Sequence, residues 1–123
     1  MFPQEEYNAH EEVNEIQVSI DQAREAVQLR DDLRALQKNR AFKKIIVEGY
    51  FKGESHRLVI ALAEPEMQTE ERQAKVITDI KAIGSLRQFF ELIEQAGDNM
   101  EDAIKKSQDE IDNIRQSPEY TGE

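Results

Sequence analysis

The chain has no cysteine, which excludes disulfide scaffolding, thiol chemistry and cysteine-based zinc sites. It has only two histidines, His10 and His56, far apart and outside any ligand-spaced cluster. His10-Glu11-Glu12 lacks the second histidine of a zinc-protease helix. Glycine is sparse, and Gly49 and Gly53 match neither the dinucleotide nor the Walker phosphate loop. The longest apolar run, Leu58 to Ala63, has six residues, against the roughly 20 a membrane span requires. Met1-Phe2-Pro3-Gln4-Glu5-Glu6 has neither the basic start nor the apolar stretch of a secretory leader.

Acidic charge is what the chain has in excess. The formal net charge is -10, and 34% of the 123 residues are charged. Residues 1–41 carry 9 acids and 5 bases, residues 64–123 carry 15 and 7, and residues 42–63 reverse the balance with 2 and 4. Such a chain repels phosphate, which disfavours generic nucleic-acid binding and anionic membranes. At 38% hydrophobic it is leaner than an average globular domain. Amphipathic helices tolerate this, because each needs only an apolar stripe.

The strongest pattern is Ile83, Leu86, Phe90, Ile93, Gly97, Met100, Ile104, Ser107, Ile111 and Ile114, in steps of three and four. Residues so spaced share one helix face. At about 1.5 Å per residue the stripe is roughly 48 Å long, and it predicts a rod that must pack against other helices. Contacts between copies of the chain are the expected use of its excess length. Val13, Ile16, Ile20, Ala23 and Val27, then Ala26, Leu29, Leu33 and Leu36, predict a first long helix over about 11–40 with two staggered stripes. It contains no Gly or Pro, and its ends carry Glu11, Glu12, Lys38 and Arg40 in the order the helix dipole favours. Thr69 before Glu70 and Glu71 marks the start of another helix, running toward Gln116 and stopping before Pro118. Asp98 with Glu101 forms a possible capping box that would split it near Gly97. Continuity is favoured, because the stripe keeps its phase through Gly97.

Residues 42–63 are ambiguous. Phe42 to Phe51 is rich in β-branched and aromatic residues, and Lys52-Gly53-Glu54-Ser55 suits the turn of a β-hairpin. A lone hairpin would have no sheet to join, so one broken helix or two short ones are favoured. The expected fold is all-α: two long amphipathic helices flanking a short helical segment, in a coiled-coil-like bundle. The domain plan is an N-terminal arm (1–10), one helical domain (11–116, with helices about 11–40, 42–63 and 69–116) and a C-terminal tail (117–123).

No residue set demands catalysis, a cofactor or a metal. Asp98-Asn99-Met100-Glu101-Asp102 lacks the alternating ligands and glycine of a calcium loop and reads as a helix start. Ser55, His56 and Glu54 are chain neighbours and make no triad. Two groups remain. The helix-packing and oligomer seam is Ile83, Leu86, Phe90, Ile93, Met100, Ile104, Ile111 and Ile114. The partner-binding patch is Phe42, Lys43, Lys44, Tyr50, Phe51, Lys52 and Arg57. The patch suits a stacking nucleic-acid surface. Favoured instead is that its aromatics are core and its bases meet acidic helices of the same or another subunit. Gly84 and Ser85 beside the seam would admit a close helix, with Phe89 and Phe90 the densest packing.

The run Phe42-Lys43-Lys44-Ile45-Ile46-Val47-Glu48-Gly49-Tyr50-Phe51 resembles a class of small uncharacterised acidic helical proteins of tailed bacteriophages. So do Arg57-Leu58-Val59 through Ala63-Glu64-Pro65-Glu66-Met67-Gln68 and Ile83-Gly84-Ser85-Leu86-Arg87-Gln88-Phe89-Phe90. The likeness spans about residues 42–93 and transfers no site. It implies a non-enzymatic virion structural or assembly role, and the seam adds that such a factor forms a homo-oligomer through Ile83–Ile114 and presents residues 42–63 or an acidic face to a larger head or neck component. Such a factor would act in the bacterial host cytoplasm and enter the virion. The alternative is an acidic DNA mimic that inhibits a host nucleic-acid-binding protein.

Overall fold

The computed structural model describes residues 7–122 and is all-α, with no strand among them. Helix α1 (Ala9–Lys38) begins where Asn8 accepts a hydrogen bond from the Glu11 N–H at 3.1 Å, two residues earlier than the apolar stripe alone suggests. It ends at Lys38 rather than at about residue 40. Asn39 leaves the helical region (φ -66°, ψ 129°) and its side chain accepts from the Phe42 N–H at 3.0 Å. One residue thus stops α1 and caps the next helix.

From Asn39 the chain is helical without a break through α2 (Arg40–Phe42), a π-helical stretch (Lys43–Glu54) and α3 (Ser55–Ala63). The hairpin alternative for this segment does not occur. The π geometry, with hydrogen bonds reaching five residues back instead of four, has no counterpart in the sequence pattern. Such widened turns are normally brief. Gly49 and Gly53 sit within it without interrupting the helix. A Cβ at Gly49 would lie 3.1 Å from the Lys44 carbonyl oxygen, and one at Gly53 would lie 3.2 Å from that of Glu48.

Glu64 turns extended before Pro65, as pre-proline sterics require, and Pro65–Met67 form a 3₁₀ turn. Side-chain amides tie this bend down. Gln68 donates to the Leu62 and Glu64 carbonyls (2.9 and 2.8 Å), and Gln73 donates to those of Leu62 and Met67 (3.0 and 2.7 Å). The two bonds to Leu62 satisfy a carbonyl that the end of α3 leaves orphaned. Thr69 Oγ1 then accepts from the Arg72 N–H at 3.3 Å, and α4 runs as one helix over Glu70–Arg115, unbroken at Gly97. The short α5 (Pro118–Thr121) comes last and ends on Gly122 in the left-handed region (φ 79°).

The two long helices pack against each other, with the shorter helical segment between them in sequence. The described residues divide into two compact units. One comprises α1 up to Arg30 with the chain from Ala96 onward; the other is Asp31–Gln95. In the first, Val13, Ile20 and Ile111 are buried together, flanked by Ile16, Ile104, Ile114 and Tyr120. Tyr120, in the expected tail, stacks on His10 at 4.0 Å between ring centroids, and its carbonyl oxygen lies 3.0 Å from the His10 ring nitrogen. In the second unit, Leu58, Ala61, Val76 and Ile83 form the core, edged by Tyr50, Phe51, Leu62, Met67 and Ile80.

Candidate interaction surfaces

The α4 seam is the inner edge of the fold. Ile83 and Ile111 are buried, and Leu86, Phe90, Ile93, Met100, Ile104 and Ile114 are half-buried. The cover comes from the chain itself. Val13 and Ile20 of α1 close over Ile111 in one unit, and Leu58 and Ala61 of α3 close over Ile83 in the other. Steps of three and four report that a face is covered; here the covering helices are encoded in the same chain. No helix among the described residues approaches Gly84 closely, since a Cβ there would meet nothing within 4 Å.

A small residue matters at Gly97 instead. Arg30 is a buried charged residue, 4% exposed, and its side chain lies across Gly97. A Cβ at Gly97 would overlap the Arg30 Cβ and would lie 2.8 Å from its Cγ and 2.6 Å from its Cδ. The guanidinium donates to Asp98 at 2.7 Å and to Glu101 at 2.8 Å. These two carboxylates, a possible helix cap by their spacing, in fact clamp a buried cation. A buried charge must be paired and hydrogen-bonded to be tolerated. The cue is present in the sequence: Arg30 follows Val27 by three and Ala26 by four, in phase with the α1 apolar stripe, and Gly97 interrupts the facing stripe of α4.

In the other unit the aromatic members of the patch are half-buried and the basic members are exposed. Phe90 meets Phe42 (6.1 Å) and Phe51 (5.8 Å) between ring centroids, and Arg87 lies 5.8 Å from the Phe51 centroid in cation–π reach. Lys43, Lys44, Lys52 and Arg57 are exposed. Only Arg57 among these four has an ion pair among the described residues; its Nε donates to Glu54 at 3.0 Å. That bond holds the Glu54 carboxyl below the usual carboxylate range. Elsewhere, the Glu12 carboxylate beside the Tyr7 hydroxyl pushes its pKa up from the ordinary tyrosine value.

Two open clefts flank this segment. An apolar groove of about 520 Å³ is lined by Ile45, Ile46, Gly49, Tyr50 and Leu86, with Glu54 also on its wall. Large apolar side chains stand in solvent in this same unit: Ile45 is 65% exposed, Phe89 56% and Leu92 63%. Phe89 is therefore not part of the dense packing expected for the pair; Phe90 alone turns inward. A second cleft, about 440 Å³, is walled by Lys38, Arg40, Lys43 and Lys44 against one carboxylate, Glu48. Lys38 and Arg40 look like plain helix-end charges in the sequence, and the turn at Asn39 brings them beside Lys43 and Lys44.

Charge is partitioned between the units. The sequence segments of the first unit contain 15 acids and 5 bases, and those of the second contain 11 of each, so the whole net charge of -10 belongs to the first. Among the described residues no group of three or more His, Asp or Glu side chains is placed to hold a metal, and no helix is long and apolar enough to cross a membrane. Comparison of the chain with protein-family models, curated proteins and solved structures finds no match.

Proposed function

We propose that the chain is a non-enzymatic structural or assembly factor of a tailed bacteriophage, one that self-associates by helix packing and binds a larger head or neck component. The phage setting, the host cytoplasm and entry into the virion rest on the resemblance over residues 42–93. The observation that carries the interaction role is the apolar groove along the π-helical stretch, with Ile45, Phe89 and Leu92 largely in solvent. An open apolar groove marks a contact surface, and Ile45 forms one of its walls. Ile83 and Ile111 are buried within the chain, so self-association draws on outer faces and on half-buried seam positions such as Leu86, which lines the groove. Co-expression with the structural proteins of the encoding phage tests the reading. A head or neck protein should co-purify with the wild-type chain and be lost with Ile45→Asp or Phe89→Asp, while helix content stays unchanged. Failure of every structural protein to co-purify overturns it.

A second reading, an acidic DNA mimic that inhibits a host nucleic-acid-binding protein, is favoured by one observation: the whole net charge sits in one unit. It requires that the chain displace labelled duplex DNA from basic DNA-binding proteins at physiological salt. The assembly reading expects no displacement.

A further inference from the structure

We propose that the basic corner around Asn39 is the docking site for the acidic outer stripe of α1 on a second copy of this chain. This rests on the self-association reading above and names its surfaces.

The corner comprises Lys38, Arg40, Lys43 and Lys44, all exposed, around a cleft of about 440 Å³ whose one carboxylate is Glu48. None of these four cations has an ion pair among the described residues. Exposed apolar side chains adjoin them in sequence: Leu36 is 46% exposed and Ile45 65%. The corner is an unneutralised cationic surface with apolar residues at both ends.

The matching surface lies in the acidic unit. Glu11, Glu15, Val18, Gln22, Glu25 and Leu29 succeed one another at spacings of four, three, four, three and four. At 3.6 residues per turn they form one stripe on α1. All six are exposed, opposite the face that buries Val13 and Ile20. Glu11, Glu15 and Glu25 also have no ion pair among the described residues, and Val18 and Leu29 are 55% and 52% exposed. The two stripes carry opposite charge and the same kind of apolar companion. Charge of opposite sign steers encounter and sets register, while the apolar contacts add affinity. Within one copy each acid has like-charged neighbours; a second copy supplies the cations. Because the two surfaces differ, the contact is head-to-tail, so an open assembly keeps one free corner at one end and one free stripe at the other.

Sedimentation velocity on the full chain tests this with two charge-reversal variants. Wild type should associate at low salt and dissociate toward monomer near about 1 M salt, where screening reaches about 3 Å. Lys43→Glu/Lys44→Glu and Glu11→Lys/Glu15→Lys should each weaken self-association by about tenfold or more. An equimolar mixture of the two should regain association, since the intact stripe of one meets the intact corner of the other and the two reversed surfaces are again opposite in sign. That rescue also guards against misfolding, because a collapsed variant cannot complete the pair. A wild type that associates while both variants match it overturns the proposed surfaces and leaves self-association standing. A wild type that is monomeric at every concentration and salt overturns self-association itself. Binding of a labelled DNA duplex by wild type, abolished in Lys43→Glu/Lys44→Glu, would make the corner a phosphate site and overturn the docking proposal.

Discussion

Gly97→Ala adds one methyl group where Arg30 already lies. Alanine favours a helix over glycine by up to about 1 kcal/mol, but overpacking costs about 1–3 kcal/mol, so a net loss of stability is expected. The substitution should become neutral or favourable in an Arg30→Ala background, because the obstructing side chain is gone. A double-mutant cycle by urea denaturation measures this, with a coupling on the order of 1 kcal/mol or more. A second residue-level test concerns Glu54. Its carboxyl is held below its ordinary value by Arg57, so the pair contributes above the unfolded-state pKa and is lost as pH falls through the depressed folded value. Carboxyl-carbon NMR titration should find Glu54 titrating lower than an unpaired glutamate, and Arg57→Ala should return it to the ordinary range.

The long helices are held by the faces they turn toward each other. Ile20 and Ile111 are the most deeply buried large side chains, and truncating Ile111 to alanine should cost about 2–5 kcal/mol in thermal or denaturant unfolding. Ile104→Asp, at the edge of the same cluster, should lower the melting temperature without changing the assembled mass, because its apolar neighbours belong to its own chain. Periodicity makes both long helices legible, including the passage of α4 through Gly97, since a stripe that keeps phase leaves no room for a turn. It cannot say which helices cover the seam. The middle segment is legible as helix only by elimination. Its β-branched and aromatic run suits a strand equally well, and what decides is the apolar face of α4 at Ile83, Leu86 and Phe90. Nothing in the residue types signals the π geometry. Of the patch, the division of aromatics inward and cations outward is readable. The joining of Lys38 and Arg40 to Lys43 and Lys44 is not, because it depends on the single extended residue Asn39.

At the scale of the molecule, an acidic unit and a neutral one share both long helices. Asp31–Gln95 is one contiguous stretch, whereas the acidic unit needs chain from both sides of it. Its compactness should therefore be more sensitive to ionic strength than that of its neighbour, since its net charge repels itself. Hydrogen exchange in rising salt should slow at amides around Ile20 and Ile111 and change little around Leu58 and Ile83. The same arrangement orders events during synthesis. The neutral unit is complete as soon as Gln95 clears the ribosome. Ile20 must wait for Ile111, 91 positions downstream, which at ordinary translation speed is roughly 5–20 seconds. For that interval the growing chain shows the greasy side of α1 to the cell, and a chaperone or a neighbouring nascent chain has its one opportunity to bind it.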